Sequence, residues 1–308
     1  MAENPATSRT LPLVLLVVGG VVYGSVFSAN KIAIEAGFPF IAYTFWQALI
    51  AALAVLVIGG ATKSLPQMST AHLRQYGFTA LFGYIIPFIV FAYVAAKVPP
   101  LVLTLLLALT PALTYLFAFI MRLEKFRQAS IMGVVFGFIG ILLIVLPEGS
   151  LPSPEAAGWL ILALLAPIGF AANNVSVAVL RPPASTSIGL SGGVLLVASA
   201  VMFVIMLVFE GFVPFWTLAS GAVWGVLWAA LVNAITFWFL FEIIRLAGPV
   251  FFSQFNYVSV GSGSLWALVL FQELPSLWVW AALVAMVIGL VFATQGANAS
   301  IREASAKS

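Results

Sequence analysis

The sequence has no cysteine, no aspartate and a single histidine, His72. Without cysteine there is no disulfide, no thiolate nucleophile and no sulfur-ligated metal. Without aspartate every acid is a glutamate, and paired-aspartate chemistry is excluded. Charge is scarce as well. Lys, Arg, Asp and Glu make up 7% of the 308 residues, against about a quarter in a water-soluble domain. With 63% hydrophobic residues and a mean hydropathy of +1.18, that scarcity excludes a water-facing globule. The net charge of +3 is spread over short gaps instead of one patch, so no nucleic-acid partner is expected. No Gly-x-x-x-x-Gly-Lys-Ser/Thr run occurs, which removes the usual route to ATP-driven work.

What the chain does have is long apolar runs. A bilayer core about 30 Å thick takes roughly 20 apolar residues as a helix. Ten such segments are read, at 11–34, 39–59, 73–96, 100–121, 128–146, 156–180, 186–209, 219–243, 249–271 and 276–296. Each is expected to be helical, because lipid cannot satisfy an open backbone. Turn chemistry separates them at Gly37-Phe38-Pro39, Pro99-Pro100, Pro147-Glu148-Gly149, Arg181-Pro182-Pro183, Gly248-Pro249 and Leu274-Pro275. The first segment outruns the apolar region of a signal peptide and reads as a span. Short tails are read at 1–10 and 297–308, the latter small, polar and unstructured.

An even number of spans puts both termini on one side. That side collects Arg9, Lys63, Arg74, Arg122, Lys125, Arg127, Arg181, Arg245, Arg302 and Lys307, and the other only Lys31 and Lys97. The bias places both termini in the cytoplasm. Glu242 and Arg245, three apart near a cytoplasmic end, are expected to pair.

The two halves also echo each other. An offset of 149 carries Phe88 onto Phe237, Pro100 onto Pro249, Glu124 onto Glu273 and Gly140 onto Gly289. Near the first span the offset is 143, matching Asn30 to Asn173. Two repeats, 11–146 and 156–296, would each hold five spans, an odd number, and so insert in opposite senses. That plan is common in secondary transporters, with the substrate between repeats near the midplane.

Three features carry a family resemblance. They are the run Gly24-Ser25-Val26-Phe27-Ser28-Ala29-Asn30-Lys31, the step Leu109-Thr110-Pro111-Ala112, and a glutamate, Glu124, closing the fourth span. The chain resembles the EamA-type members of the drug/metabolite transporter superfamily, and among them the YddG-type exporters of aromatic amino acids. The resemblance implies an all-α membrane protein of ten helices in two inverted five-helix repeats, in a bacterial inner membrane. One position departs from it: Val258-Ser259-Val260 stands in the second half where Leu109-Thr110-Pro111 stands in the first.

Polar side chains inside a bilayer are costly and therefore informative. Asn30 lies in the first span, Asn173 and Asn174 in the sixth, Asn233 at the centre of the eighth, and Ser253, Gln254, Asn256 and Tyr257 in the ninth. Helical spacing aligns Tyr23, Phe27 and Asn30 on one face, Tyr84, Phe88 and Phe91 on another, and Asn233, Phe237 and Leu240 on a third. If these faces converge, Tyr84, Phe88, Phe237 and Tyr257 wall a pocket. Tyr23 stands beside them, and Asn30, Asn173, Asn233, Ser253 and Asn256 hold the amino and carboxylate groups of an amino acid. Each amide reads equally as glue between helices, worth ~0.6–2 kcal/mol. Lys31 and Lys97 read either as an attractant or gate at the outer mouth, Lys31 pairing with Glu35, or as cations snorkelling to headgroups.

Three function classes are weighed. A secondary transporter fits best, moving neutral and especially aromatic amino acids out of the cytoplasm by alternating access, bending near Pro111 and the Gly261/Gly263 region. No carboxylate or histidine sits at mid-depth, which favours uncoupled movement and argues against cationic cargo. Drugs, nucleotide sugars and other metabolites stay open as alternatives. An intramembrane enzyme is disfavoured because Gly261-Ser262-Gly263-Ser264 has no histidine base in any span. A channel would want a ring of like groups that one chain does not supply. No cofactor or metal is expected. One chain suffices as a monomer, and a dimer is not excluded.

Overall fold

The computed structural model describes residues 7–122, 128–145, 155–253, 255–272 and, with breaks at 283, 286 and 290, 276–292. Among them the chain is helical throughout, with no strand. The helices are α1 (Thr7–Gly24), α2 (Val26–Glu35), α3 (Phe40–Ala61), α4 (Thr70–Ala80), α5 (Ile86–Val94), α6 (Pro100–Leu106), α7 (Thr110–Ile120), α8 (Gln128–Val145), α9 (Glu155–Ala163), α10 (Leu165–Leu180), α11 (Ser187–Phe209), α12 (Ser220–Ser253) and α13 (Phe255–Phe271). Glu124, Gln254, Glu273, the tail from 298 and the side chain of Tyr257 lie outside the described residues.

Among the described residues six helical stretches are long and apolar enough to cross a membrane. They run Leu11–Glu35, Phe40–Ala61, Thr70–Val94, Ala156–Leu180, Ser187–Phe209 and Ser220–Pro249. Shorter apolar helices stand at Thr110–Ile120, Ile131–Gly140 and Leu277–Gly289. The exterior is unlike that of a soluble protein. Val57, Phe209, Trp224 and Leu277 are at least 70% exposed, while Asn30, Gln47, Gln75, Asn173 and Asn233 are buried. An apolar exterior, with amides and hydroxyls set inside an otherwise apolar core, is the arrangement a lipid solvent demands.

Most of the long helices are interrupted, and imino acids explain several breaks. Pro87 supplies no N–H to the Gly83 carbonyl one turn back, and the helix widens to a π turn over Leu81–Ile85. Pro111 does the same to Leu107, where the chain tightens into a 3₁₀ turn, Leu107–Leu109. The stretch Ala156–Leu180 breaks at Leu164, three residues before Pro167. At Gly248 φ is +82°, a left-handed conformation open to glycine, and Pro249 starts a new direction. The bend expected near Gly261 and Gly263 does not occur, since α13 is continuous through both. Those small residues serve contact instead. Gly24 of α1 abuts Ser262 and Gly263, and the Ser262 hydroxyl donates to the Gly20 carbonyl at 3.1 Å.

Long-range polar ties lock the helix ends. Glu210, just past α11, accepts from the backbone N–H groups of Ile41 and Ala42 at 3.1 and 2.8 Å, capping the first turn of α3. At the opposite end of α11, the Arg181 guanidinium donates to the Phe241 carbonyl at 2.7 Å and to Ser185 and Ser187 at 3.2 Å. Ser187 donates in turn to Glu242, which pairs with Arg245 as the spacing required. Burial and the neighbouring Arg245 pull the Arg181 guanidinium below its ordinary pKa, and Glu242 opposes them. Lys31 lies 4.0 Å from Glu35 and over the Phe271 ring, while Lys97 sits 3.5 Å above Tyr93 and 4.2 Å from Trp159. Aromatic faces hold both cations.

Candidate functional site

Helices from both halves of the chain converge on one central cavity. Tyr23 enters from α1, Gly83 from the π turn, Phe88 from α5, Phe170, Asn173 and Asn174 from α10, Thr236, Phe237 and Leu240 from α12, and Phe255 and Asn256 from α13. Phe252, just beyond the Gly248 kink, completes the lining. None of the described lining residues carries a formal charge.

Stacked rings make the walls. Tyr84 and Phe88 stack at 4.3 Å with planes 11° apart, Phe237 lies 5.7 Å from Tyr84, and Phe170 meets Phe88 edge-on at 6.2 Å. On the facing side Tyr23 and Phe255 are 5.7 Å apart, and Phe252 stacks on Phe255 at 5.2 Å. Such rings offer apolar faces and, to an ammonium, an attractive quadrupole.

Polar capacity is concentrated and partly unspent. Asn173 Oδ1 and Thr236 Oγ1 are buried and find no hydrogen-bond partner among the described residues. An unpaired buried group costs ~1–3 kcal/mol, so each is poised to accept a water or a ligand. Asn174 donates to the Thr114 hydroxyl at 3.3 Å, which ties α10 to α7. The free space is about 40 Å³. That holds a few waters and falls well below the ~300 Å³ of a small-molecule pocket. The cavity is contracted, and a ligand requires the helices to part.

The expected site residues divide on this geometry. Tyr23, Phe88, Asn173, Phe237 and Asn256 line the cavity together. Tyr84 stands behind Phe88 and gives its hydroxyl to the Thr44 carbonyl at 3.0 Å. Asn30 and Asn233 lie outside the lining. Asn30 Oδ1 accepts from Tyr43 at 2.8 Å, and Asn233 donates to Gln47 Oε1 at 2.8 Å. Ser253 is buried beside Phe252 without lining the space. Phe170, Thr236, Phe252 and Phe255 line it without having been singled out in the sequence. Phe170 shares the face of Asn173 and Asn174 at three- and four-residue spacing, a signal that was available. Thr236 had a weaker one, standing at the offset of 149 from Pro87.

Gly83 is fitted to Asn173. A Cβ at residue 83 would lie 2.7 Å from Asn173 Cγ, so only glycine admits the carboxamide here. Gly169 similarly lets α10 approach the Phe82 carbonyl. The π turn, Pro87 and two glycines together bring α10 to the cavity wall.

An all-helical, lipid-facing bundle with polar side chains turned inward onto a central cavity defines a multi-pass membrane protein. Residues 10–146 match the EamA-like transporter family, so this part of the chain is similar to EamA-type members of the drug/metabolite transporter superfamily. Two WAT1-related proteins of Arabidopsis thaliana are similar to the chain. One is 30% identical over 129 residues, covering 39% of this chain and 36% of the relative. The other is 28% identical over 119 residues, covering 36% and 32%. The matches thus span about a third of those relatives' length. A protein of known crystal structure superposes with a TM-score of 0.68 at 18% identity, covering 93% of this chain and 97% of that one, and shows the fold is shared.

Proposed function

We propose that this protein is a secondary transporter that exports neutral, especially aromatic, amino acids by alternating access, without obligatory ion coupling. The observation that carries the reading is the cavity: aromatic walls, several amides, and two polar atoms unpaired among the described residues, Asn173 Oδ1 and Thr236 Oγ1, with no charge on any described lining residue. A zwitterion with a flat side chain matches that inventory. Its ammonium donates to Asn173 and Thr236, its carboxylate accepts from amide groups such as those of Asn256, and its ring slots between Phe88, Phe237 and Phe255. A lone cation would lack a counter-charge there.

The two halves work as inverted repeats in a bacterial inner membrane, with both termini cytoplasmic. Helices bend at the π turn before Pro87 and the 3₁₀ turn before Pro111, opening the cavity to one side at a time. On opening, Asn30, Tyr84 and Asn233 exchange their bonds to α3 for substrate, with Ser253 and Tyr257 alongside.

Flux of labelled phenylalanine and tryptophan in proteoliposomes tests this, with and without a pH gradient. Saturable flux without the gradient is expected, with Asn173→Ala weakening half-saturation by several-fold, the worth of one hydrogen bond at ~1 kcal/mol. Flux that requires the gradient refutes uncoupled movement. Absent amino acid flux refutes the substrate class and turns the cavity toward neutral metabolites or drugs.

A further inference from the structure

A second space, unrelated to the central cavity, opens on the flank of the bundle. It is a groove of about 360 Å³, walled by Phe78 of α4, Phe117 and Ile120 of α7, and Val175, Ser176 and Val179 of α10. Ile120 is 65% exposed and Val179 48%. Ser176 turns its hydroxyl back onto the Asn173 carbonyl at 2.8 Å, so even the polar member presents little to the groove. Water gains nothing in such a space, and a hydrocarbon chain does.

The groove has a basic end. The α4 helix begins where α7 and α10 finish: Met121 and Leu180 line one end of the groove, and His72 in the first turn of α4 meets Ser185 and Thr186 just beyond α10. At that end stand two exposed arginines. Arg122 follows Met121 directly, in a left-handed turn with φ +59°. Arg74 lies one helical turn before Phe78 on the same face of α4. None of the groove's described lining residues is acidic.

We propose that this groove is a binding site for an anionic phospholipid. One acyl chain lies along Phe117, Val175 and Val179, and the phosphate is held by Arg74 and Arg122, whose planar forks suit its oxygens. A zwitterionic lipid offers the same chain but brings a cation against two guanidiniums, so charge selects the anionic headgroup. The α10 helix presents Val175 and Val179 to the groove and Asn173 and Asn174 to the cavity. A seated chain therefore buttresses one cavity wall from behind.

Native mass spectrometry of the full chain in detergent tests the site, titrating phosphatidylglycerol, phosphatidylcholine of identical acyl chains, and inorganic phosphate. Tighter binding of one phosphatidylglycerol is expected, by about fivefold for each arginine engaged. The Arg74→Gln/Arg122→Gln double variant is expected to bind the two lipids equally while keeping its elution volume and helicity. Val179→Trp, which fills the groove without touching the arginines, is expected to weaken both lipids. Equal binding of the two lipids by the unaltered protein overturns the proposal, as does an undiminished preference in the double variant. Phosphate binding as tightly as the lipid removes the acyl chain from the site and overturns it. A dimer carrying no lipid places a second copy on the groove, with the same consequence.

Discussion

Replacing Gly83 by alanine sets two local effects against each other. Alanine favours a helix over glycine by ~1 kcal/mol. Against that, the new Cβ would lie 2.7 Å from Asn173 Cγ, 2.8 Å from Nδ2 and 3.0 Å from Oδ1. A carboxamide one bond from its own Cβ has little room to retreat, and overpacking of this kind costs ~1–3 kcal/mol. The net expectation is a loss of up to ~2 kcal/mol. Gly77, two turns earlier in the same stretch, is the internal control. Nothing lies within 4 Å of a Cβ there, so Gly77→Ala is expected to be neutral or stabilising.

The stronger form of the test is a double-mutant cycle. Asn173→Ala removes the obstructing carboxamide, so Gly83→Ala in that background should recover most of its loss, with a coupling of ~1–3 kcal/mol. Reversible unfolding of detergent-solubilised protein reads the stabilities, and substrate binding by the same variants reads the site. If Gly83→Ala behaves like Gly77→Ala, or adds independently to Asn173→Ala, then Asn173 is not seated against the π turn. The α10 amide would then reach the cavity wall without the close approach that Gly83 allows.

Two further substitutions probe the frame around the site. Gly24→Val should prevent assembly of α1 on α13, because a Cβ there meets the Gly263 nitrogen at 2.5 Å and the Ser259 carbonyl oxygen at 2.8 Å, backbone atoms that cannot rotate away. A loss beyond ~3 kcal/mol is expected, seen as aggregate by size exclusion, and a monodisperse, fully helical variant would contradict the close contact. Glu210→Ala should cost ~1–3 kcal/mol by uncapping α3, and Glu210→Gln should recover part of it by keeping one acceptor oxygen. Equal melting of the two variants would show that the cap contributes through charge alone.

How far the sequence could be read depended on whether the answer was local. Lipid requires long apolar helices, and the runs 11–34, 39–59 and 186–209 reappear as Leu11–Glu35, Phe40–Ala61 and Ser187–Phe209. Breaks at Pro111 and Gly248 follow from an absent N–H and a positive φ, both properties of single residues. The π turn before Pro87 follows the same rule yet went unread, because a proline in an apolar run announces a break without stating its form. Gly261 and Gly263 misled for the opposite reason. A small residue serves a hinge or a close contact equally well, and only the partner helix, here bearing Gly24, decides between them.

The amides show the same limit in the site. Asn173 and Asn256 face the cavity while Asn30 and Asn233 do not, though all four looked alike in sequence. What separates them is α3, a helix that sequence reading gave no part in the site. Tyr43, Thr44 and Gln47 of that helix take up Asn30, Tyr84 and Asn233 respectively. Three contacts from three different helices end on one face of α3. The bonding is also incomplete, since Gln47 Nε2 and Asn233 Oδ1 stay unpaired among the described residues although each is what the other lacks. A seam held by single hydrogen bonds, each worth ~1 kcal/mol, costs little to exchange. Asn30 and Asn233 can reach the cavity only by leaving α3, which makes that seam the place where opening of the bundle would be felt first.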